Sequence, residues 1–268
     1  MTDPGSLLQA FVLHRRDYGN TSLLLEIFAI DLGRIPAIAR GARRPRNPGS
    51  ALLQPFQPLW LDVIGRGEVR TLTRVEAAGP AIGLSGRSLW CGLYLNELLV
   101  RLLGRDDPHD PLFAFYHSAL AALAEDEDQE TVLRQFEIRL LDELGYGLAL
   151  DVEAGGGGAV VADGIYALDP GYGVRRAAVN DAGQTLSGAT LLALSKGMPL
   201  SPPQIREARA LLRRVLEPHL GGRPLKSREL FRRWTAAEAK PAARQPPASG
   251  ISAGMSQTFS TGDRESES

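Results

Sequence analysis

The segment Ala39-Arg40-Gly41-Ala42-Arg43-Arg44-Pro45-Arg46-Asn47-Pro48-Gly49 carries four arginines and no carboxylate. Guanidinium groups crowded this closely repel one another unless an anion answers them, and a phosphate backbone is the commonest large polyanion that does so. The chemistry to expect is ion pairing with phosphate rather than bond-breaking. Glycine and proline exclude a regular strand or helix, so the segment reads as an exposed loop. A merely solvated surface loop is the alternative for any one basic run, and the surroundings weigh against it. Positions 32–75 hold Arg34, Arg40, Arg43, Arg44, Arg46, Arg66, Arg70 and Arg74 against only Asp62 and Glu68, while the whole chain sets 30 Lys and Arg against 31 Asp and Glu. The cationic character is local to this region.

Other chemistry finds little support. His14, His109, His117 and His219 are scattered, without the spacing of a metal-binding helix. There is no Gly-x-Ser-x-Gly elbow. The acidic run at 125–128 lacks the alternating ligands and turn glycine of a calcium loop. The four glycines at 155–158 lack the following Gly-Lys-Ser/Thr of a phosphate loop and read as a flexible linker. Cys91 is the one cysteine, which excludes an internal disulfide framework and a cysteine-ligated zinc site. No catalytic residue is proposed, and an enzyme is the weaker class.

The elements that position the basic loop are short strands. Runs at 8–14, 21–30, 34–39, 59–64 and 69–75 are strand-like, with turn residues between them. Strict alternation in the last puts Arg70, Leu72 and Arg74 on one face and Val69, Thr71, Thr73 and Val75 on the other. Five short strands in the first eighty residues suit a small closed barrel of the OB-fold type, with an SH3-like barrel as the alternative the pattern leaves open. Helical periodicity follows at 88–103, 111–124, 130–144, 186–194, 203–216 and 226–234. Leu133, Phe136, Leu140, Leu141 and Leu144 share one face of the third helix, which Gly145 is placed to cap. Short strands are expected at 160–161, 164–168 and 173–175. The fold class is thus α+β: an OB-fold barrel over 1–80, an α-helical domain over 81–238 with an irregular insertion at about 150–184, and a disordered tail over 239–268. No signal peptide and no apolar run long enough to span a bilayer is evident, so a cytoplasmic protein is expected.

A second basic region lies at 206–233, where Arg206, Arg209, Arg213 and Arg214 precede Gly221-Gly222-Arg223-Pro224-Leu225-Lys226-Ser227-Arg228-Glu229-Leu230-Phe231-Arg232-Arg233-Trp234. Leu225, Leu230, Phe231 and Trp234 read as core anchors and the arginines as solvated.

Several segments in order carry a family resemblance: Ala10-Phe11-Val12-Leu13-His14, Gly33-Arg34 leading to Ala39-Arg40-Gly41-Ala42-Arg43, Leu53-Gln54-Pro55-Phe56 and Gly65-Arg66-Gly67-Glu68-Val69. They continue with Gly92-Leu93-Tyr94-Leu95-Asn96-Glu97-Leu98-Leu99, Leu144-Gly145-Tyr146-Gly147 and Leu220 to Phe231. From about Ala10 to Trp234 the chain resembles the RecO family of bacterial recombination mediators. The resemblance implies an OB-fold followed by a helical domain, loading of recombinase onto single strands coated with single-strand-binding protein, and annealing of complementary strands. It implies RecR, RecF in some cases, and the acidic C-terminal tail of the single-strand-binding protein as partners. Many members carry a four-cysteine zinc module after the Gly-Tyr-Gly segment. Here that region has no cysteine, so no metal or other cofactor is expected.

The residues expected to meet single- or double-stranded DNA are Arg34, Arg40, Arg43, Arg44, Arg46, Arg66 and Arg70, neutralising phosphates without reading bases. Phe11, Tyr18, Phe28, Phe56 and Trp60 could stack on bases or fill the barrel. Tyr18, beside polar turn residues, is the best of the five. For the partner peptide, Arg134 and Arg139 are the expected rim and Leu133 and Phe136 the expected groove, against the alternative that the apolar pair is interhelical core. An OB-type RNA-binding protein and a scaffold that binds an acidic protein are the two rival functions.

Overall fold

The structure, a computed structural model, describes residues 7–238 apart from Arg46, Asp126, Pro170 and Ala182. The expected tail over 239–268 lies outside the described residues, as does the Arg46 side chain. Five strands, β1 (Leu8–Tyr18), β2 (Ser22–Ala29), β3 (Gly33–Ala39), β4 (Leu59–Ile64) and β5 (Arg70–Ala77), close into a barrel in the order β1-β2-β3-β5-β4. The β3–β5 pair is parallel and the others antiparallel, which is the OB-fold arrangement. Alternate residues Leu8, Ala10 and Val12 of β1, Leu23, Leu25 and Ile27 of β2, and Ile35, Ala37 and Ala39 of β3 fill its interior.

Strict alternation fails in β5. Asp62 pairs with Arg74 but Val63 pairs with Leu72, so Thr73 bulges out, donating to the Asp62 backbone carbonyl and side chain. The bulge turns Leu72 and Val75 onto the same core, so Leu72 does not share a face with Arg74.

The helical domain begins with α1 (Gly86–Leu102), α2 (Asp110–Ala124) and α3 (Gln129–Glu143). It does not hang from the barrel by a linker. Phe11 and Leu13 of β1 and Phe28 of β2 point out of the barrel and join α1, α2 and α3 in one continuous apolar core. Phe11 meets Phe113 and Tyr116 with ring centroids 5.7 and 5.2 Å apart. These phenylalanines are therefore closed to nucleic acid, and they lie at the domain interface rather than inside the barrel. Burying each such ring stabilises the junction by roughly 1.5–3 kcal/mol.

The α1–α2 connection docks against the start of β3. Gly33 sits there at φ 68°, and a Cβ on it would come within 1.8 Å of the Asp107 carbonyl oxygen, so only glycine fits. Asp106 donates its backbone N–H to the Arg34 carbonyl at 3.0 Å.

The insertion is a folded unit. Strands β6 (Ile165–Asp169), β7 (Gly173–Arg176) and β8 (Thr185–Ser187) form a sheet in the order β7-β6-β8, packed on α4 (Gly188–Ser195) and α5 (Pro202–Leu216). Leu186, read as the start of a helix, belongs to β8, and Ser187 caps α4 through Thr190. Residues 160–161 form no strand. The glycine run is a closed turn rather than a linker: Gly157 donates to the Glu153 carbonyl at 3.1 Å, Glu153 to Gly158 at 2.7 Å, and Gly155 and Gly157 take φ of 75° and 69°. Arg175 forks between Asp169 and Asp181, clasping the sheet.

The last helix, α6 (Lys226–Glu238), is held by α1. Glu97 accepts from the backbone N–H of Lys226 and Ser227 and from the Ser227 hydroxyl at 2.9, 2.8 and 2.6 Å. A carboxylate at a helix N-terminus satisfies donors that the helix cannot. No helix among the described residues is long and apolar enough to cross a membrane.

Candidate nucleic-acid interface and an arginine groove

Beyond a bulge at Leu13, β1 leaves the helical domain and runs on to Tyr18 with every residue from His14 exposed. The registers Arg16↔Leu24, Leu24↔Ile38 and Ile38↔Thr71 lay one row across the outside of β1, β2, β3 and β5. Leu24 and Ile38 are half-buried at its centre and Arg16 is exposed at its end. Two residues along β1, on the same face, Tyr18 pairs with Ser22 and is 50% exposed. This is a shallow apolar floor with a phenol and a guanidinium at its border. The outer faces of strands 2 and 3 are where OB-folds commonly bind oligonucleotides.

The basic loop sits at the same end. It leaves the C-terminus of β3 and folds onto the β1–β2 turn, where Arg43 donates its backbone N–H to the Thr21 carbonyl at 2.8 Å. Asn47 ties the loop to itself, donating to the Gly41 carbonyl at 3.0 Å. Arg40 and Arg44 are exposed, and among the described residues neither pairs with a carboxylate. Arg43 is exposed but already engaged, 2.9 Å from Asp17 and donating to the Gly19 carbonyl. The loop thus presents its charge beside Arg16 and Tyr18.

Three expected contacts fall elsewhere. The Arg34 side chain is only 13% exposed, pairs with Glu26 at 2.7 Å and donates to the Leu103 carbonyl at 3.0 Å. Arg70 pairs with Asp106. Both join the barrel to the α1–α2 connection, and neither is free for phosphate. Arg66 is exposed, but on the β4–β5 turn. That turn precedes Arg70, whose partner is Ala37, so it runs alongside the N-terminal half of β3, away from the basic loop. Arg16 joins the surface beside the basic loop although the sequence did not single it out; its signal is the continuation of β1 past His14, whereas Arg15 faces the other way and donates to the Leu53 carbonyl at 3.3 Å.

The helical domain has a groove of about 560 Å³ between α1, α3, α5 and α6. Trp90, Tyr94, Leu133, Leu225 and Phe231 supply apolar wall. Seven arginines line it (Arg87, Arg134, Arg209, Arg213, Arg223, Arg228 and Arg232) against two carboxylates, Glu130 and Glu217. Glu130 is held by Arg87 at 2.6 Å and by two donors of Arg209. Burial works to raise its pKa, but the Arg209 hydrogen bonds and the surrounding guanidinium charge outweigh that and hold it below the ordinary carboxylate value.

At the floor, Arg228 donates to the Tyr94 hydroxyl at 2.8 Å, and Tyr94 donates to Glu137, which is wholly buried. Burial raises the Glu137 pKa, with Arg134 opposing the rise. Arg134 is 5% exposed, faces Glu137 at 3.1 Å, and its Nε has no hydrogen-bond partner among the described residues. The facing Glu137 Oε2 is likewise buried without a hydrogen-bond partner among the described residues, so the two groups are held together by charge alone. Cys91 also lines the wall, where burial pushes its thiol up to about 11.

The expected peptide residues divide. Leu133 and Arg134 line the groove, Arg134 as floor rather than rim. Phe136 is fully buried, edge-to-face with Tyr116 and stacked on Phe115, each with ring centroids 6.3 Å apart, and belongs to the interhelical core. Arg139 pairs along its own helix with Glu143 at 2.8 Å and does not line the groove. The rim arginines come instead from α1 and from α5 and α6, which lie far along the chain from it.

The chain matches two family models in succession: Recombination protein O N terminal over residues 6–81 and Recombination protein O C terminal over 84–229. It is 48% identical over 233 residues to the DNA repair protein RecO of Methylococcus capsulatus, covering 86% of this chain and 95% of the relative. The corresponding protein of Halorhodospira halophila is 46% identical over 226 residues, covering 83% and 95%, and that of Stutzerimonas stutzeri 45% over 222 residues, covering 83% and 92%.

Proposed function

Because this chain belongs to the RecO family of DNA repair proteins, we propose that it is a non-enzymatic recombination mediator that binds single- and double-stranded DNA on its barrel. In this reading it anneals complementary strands and helps load recombinase onto single strands coated with single-strand-binding protein. The observation that carries the reading is the convergence of exposed Arg16, Arg40 and Arg44 with Tyr18 around the Leu24–Ile38 floor. Arginines neutralise phosphates and release counterions, and half-exposed apolar and aromatic groups receive bases without reading sequence. Annealing then needs no chemical catalyst: neutralising two strands lowers their repulsion, and holding them on one protein raises their effective concentration.

The groove between α1, α3, α5 and α6 is the seat for the acidic C-terminal tail of the single-strand-binding protein. An acidic peptide with apolar residues near a terminal carboxylate complements an apolar wall carrying seven arginines, of which Arg87 and Arg209 are about half exposed. Partnership with RecR, and with RecF, rests on the family resemblance, and a location on cytoplasmic DNA on that resemblance together with the lack of any apolar run long enough to span a bilayer.

Competition binding with single-stranded DNA, RNA and an acidic tail peptide tests the reading. Reversing charge at Arg16, Arg40, Arg43 and Arg44 is expected to weaken DNA binding and annealing together and to leave peptide binding intact. RNA bound more tightly than DNA would favour an RNA-binding role instead. Unchanged DNA affinity at moderate salt would overturn the barrel assignment.

A further inference from the structure

Glu130 already does, from inside the protein, what an acidic ligand would do from outside. It projects from the first turn of α3 into the groove, with a side chain only 11% exposed, and takes hydrogen bonds from Arg87 of α1 and Arg209 of α5. Those two arginine side chains are about half exposed, at 47% and 49%, so each can be reached by a ligand without opening the fold. Glu217, the other acid in the groove, pairs with no arginine among the described residues.

We infer that Glu130 is a built-in competitor that occupies Arg87 and Arg209 until an acidic peptide displaces it, and so sets how selective and how readily reversible capture in this groove is. The inference rests on the peptide reading of the groove given above. A ligand that takes these donors leaves a largely buried carboxylate without its partners, a cost paid only by a ligand that brings several acids together with an apolar anchor. A single small anion gains too little. Without the competitor the groove would hold any acidic chain tightly and exchange it slowly.

The opposite role is physically reasonable too: Glu130 could hold the two guanidinium forks in place for a ligand that shares them. The two roles differ in sign. Anisotropy titration of a labelled acidic peptide with apolar residues before a free C-terminal carboxylate is compared for wild type, Glu130→Gln and Glu217→Gln, with thermal unfolding as the check on folding. Displacement predicts about tenfold tighter binding by Glu130→Gln, the effect of roughly one charge-assisted hydrogen bond, and a clearly smaller gain for Glu217→Gln. Equal or weaker binding by Glu130→Gln overturns the inference while leaving the groove as the peptide site. An equal gain in both variants also overturns it, since general charge reduction then suffices. Should Glu130→Gln fail to fold, Glu130→Asp keeps the charge but is too short to serve both arginines; tighter binding supports displacement and weaker binding refutes it. No binding by wild type or any variant refutes the peptide reading itself, and this inference with it.

Discussion

Asn96 of α1 donates its side-chain N–H to the backbone carbonyl of Leu13 at 3.0 Å, at the point where β1 bulges, and accepts from the Tyr116 hydroxyl at 2.5 Å. The bulge would leave that carbonyl without a strand partner, in a buried site. One amide, itself 3% exposed, satisfies it and ties barrel to helices. Replacing Asn96 with Leu keeps the volume but orphans the Leu13 carbonyl and the Tyr116 hydroxyl. The expected loss is about 2–4 kcal/mol of stability in urea unfolding. A loss under about 0.5 kcal/mol would mean the bridge is incidental.

The arginines should rank by how free they are. Arg40→Glu and Arg44→Glu are expected to lower single-strand affinity more than Arg43→Glu, because Asp17 already holds part of the Arg43 charge. Arg34→Gln should instead lower thermal stability, since it strands the buried face of Glu26. With about five phosphates engaged, the log–log slope of affinity against salt should be about −3.5 on single strands. Filter binding across a salt series measures both, and a flat salt response would count against phosphate contact.

Glu97 separates the two surfaces. Glu97→Ala removes the carboxylate that caps α6, costing that helix about 1–2 kcal/mol of docking, and with it the Arg228 and Phe231 side of the groove. Peptide affinity is expected to fall roughly tenfold while single-strand binding by the barrel stays unchanged. Parallel loss of both would show that the barrel and groove are not independent.

The insertion should be acid-sensitive at its clasp. Hydrogen bonds from Arg175 hold the Asp181 pKa at about 2, below its ordinary value. A depressed carboxylate contributes stability above its unfolded pKa and loses it as pH falls through the folded one. Amide exchange in β6 and β7 should therefore quicken between about pH 4 and pH 2, and Asp181→Asn should abolish that step. Since the clasp joins residues of this insertion only, the effect should be confined to this sheet.

Much of the fold was legible because it is local. Strands over 59–64 and helices over 111–124 and 203–216 follow from periodicity and end signals that neighbouring residues carry themselves. Most of the basic loop was legible for the same reason: Gly41, at a left-handed φ of 67°, and Pro45 interrupt strand and helix whatever surrounds them, although Pro48–Ala51 closes the loop in a short 3-10 turn. The bulges at Leu13 and Thr73 were not, because an extra residue in one strand is defined only by its partner strand.

For this protein the chain by itself determined that five strands precede a set of helices, and that positive charge gathers in the strand-rich region, above all on the loop that follows β3. Tertiary structure alone decided which charges are available. Arg34 and Arg40 look alike in sequence, yet one meets Glu26 and the Leu103 carbonyl and the other meets solvent. The groove is assembled from helices far apart along the chain, with Arg87 and Arg209 meeting over one carboxylate. Ion pairing depends on distances of a few ångströms, and residues distant in sequence acquire those distances only when the core closes.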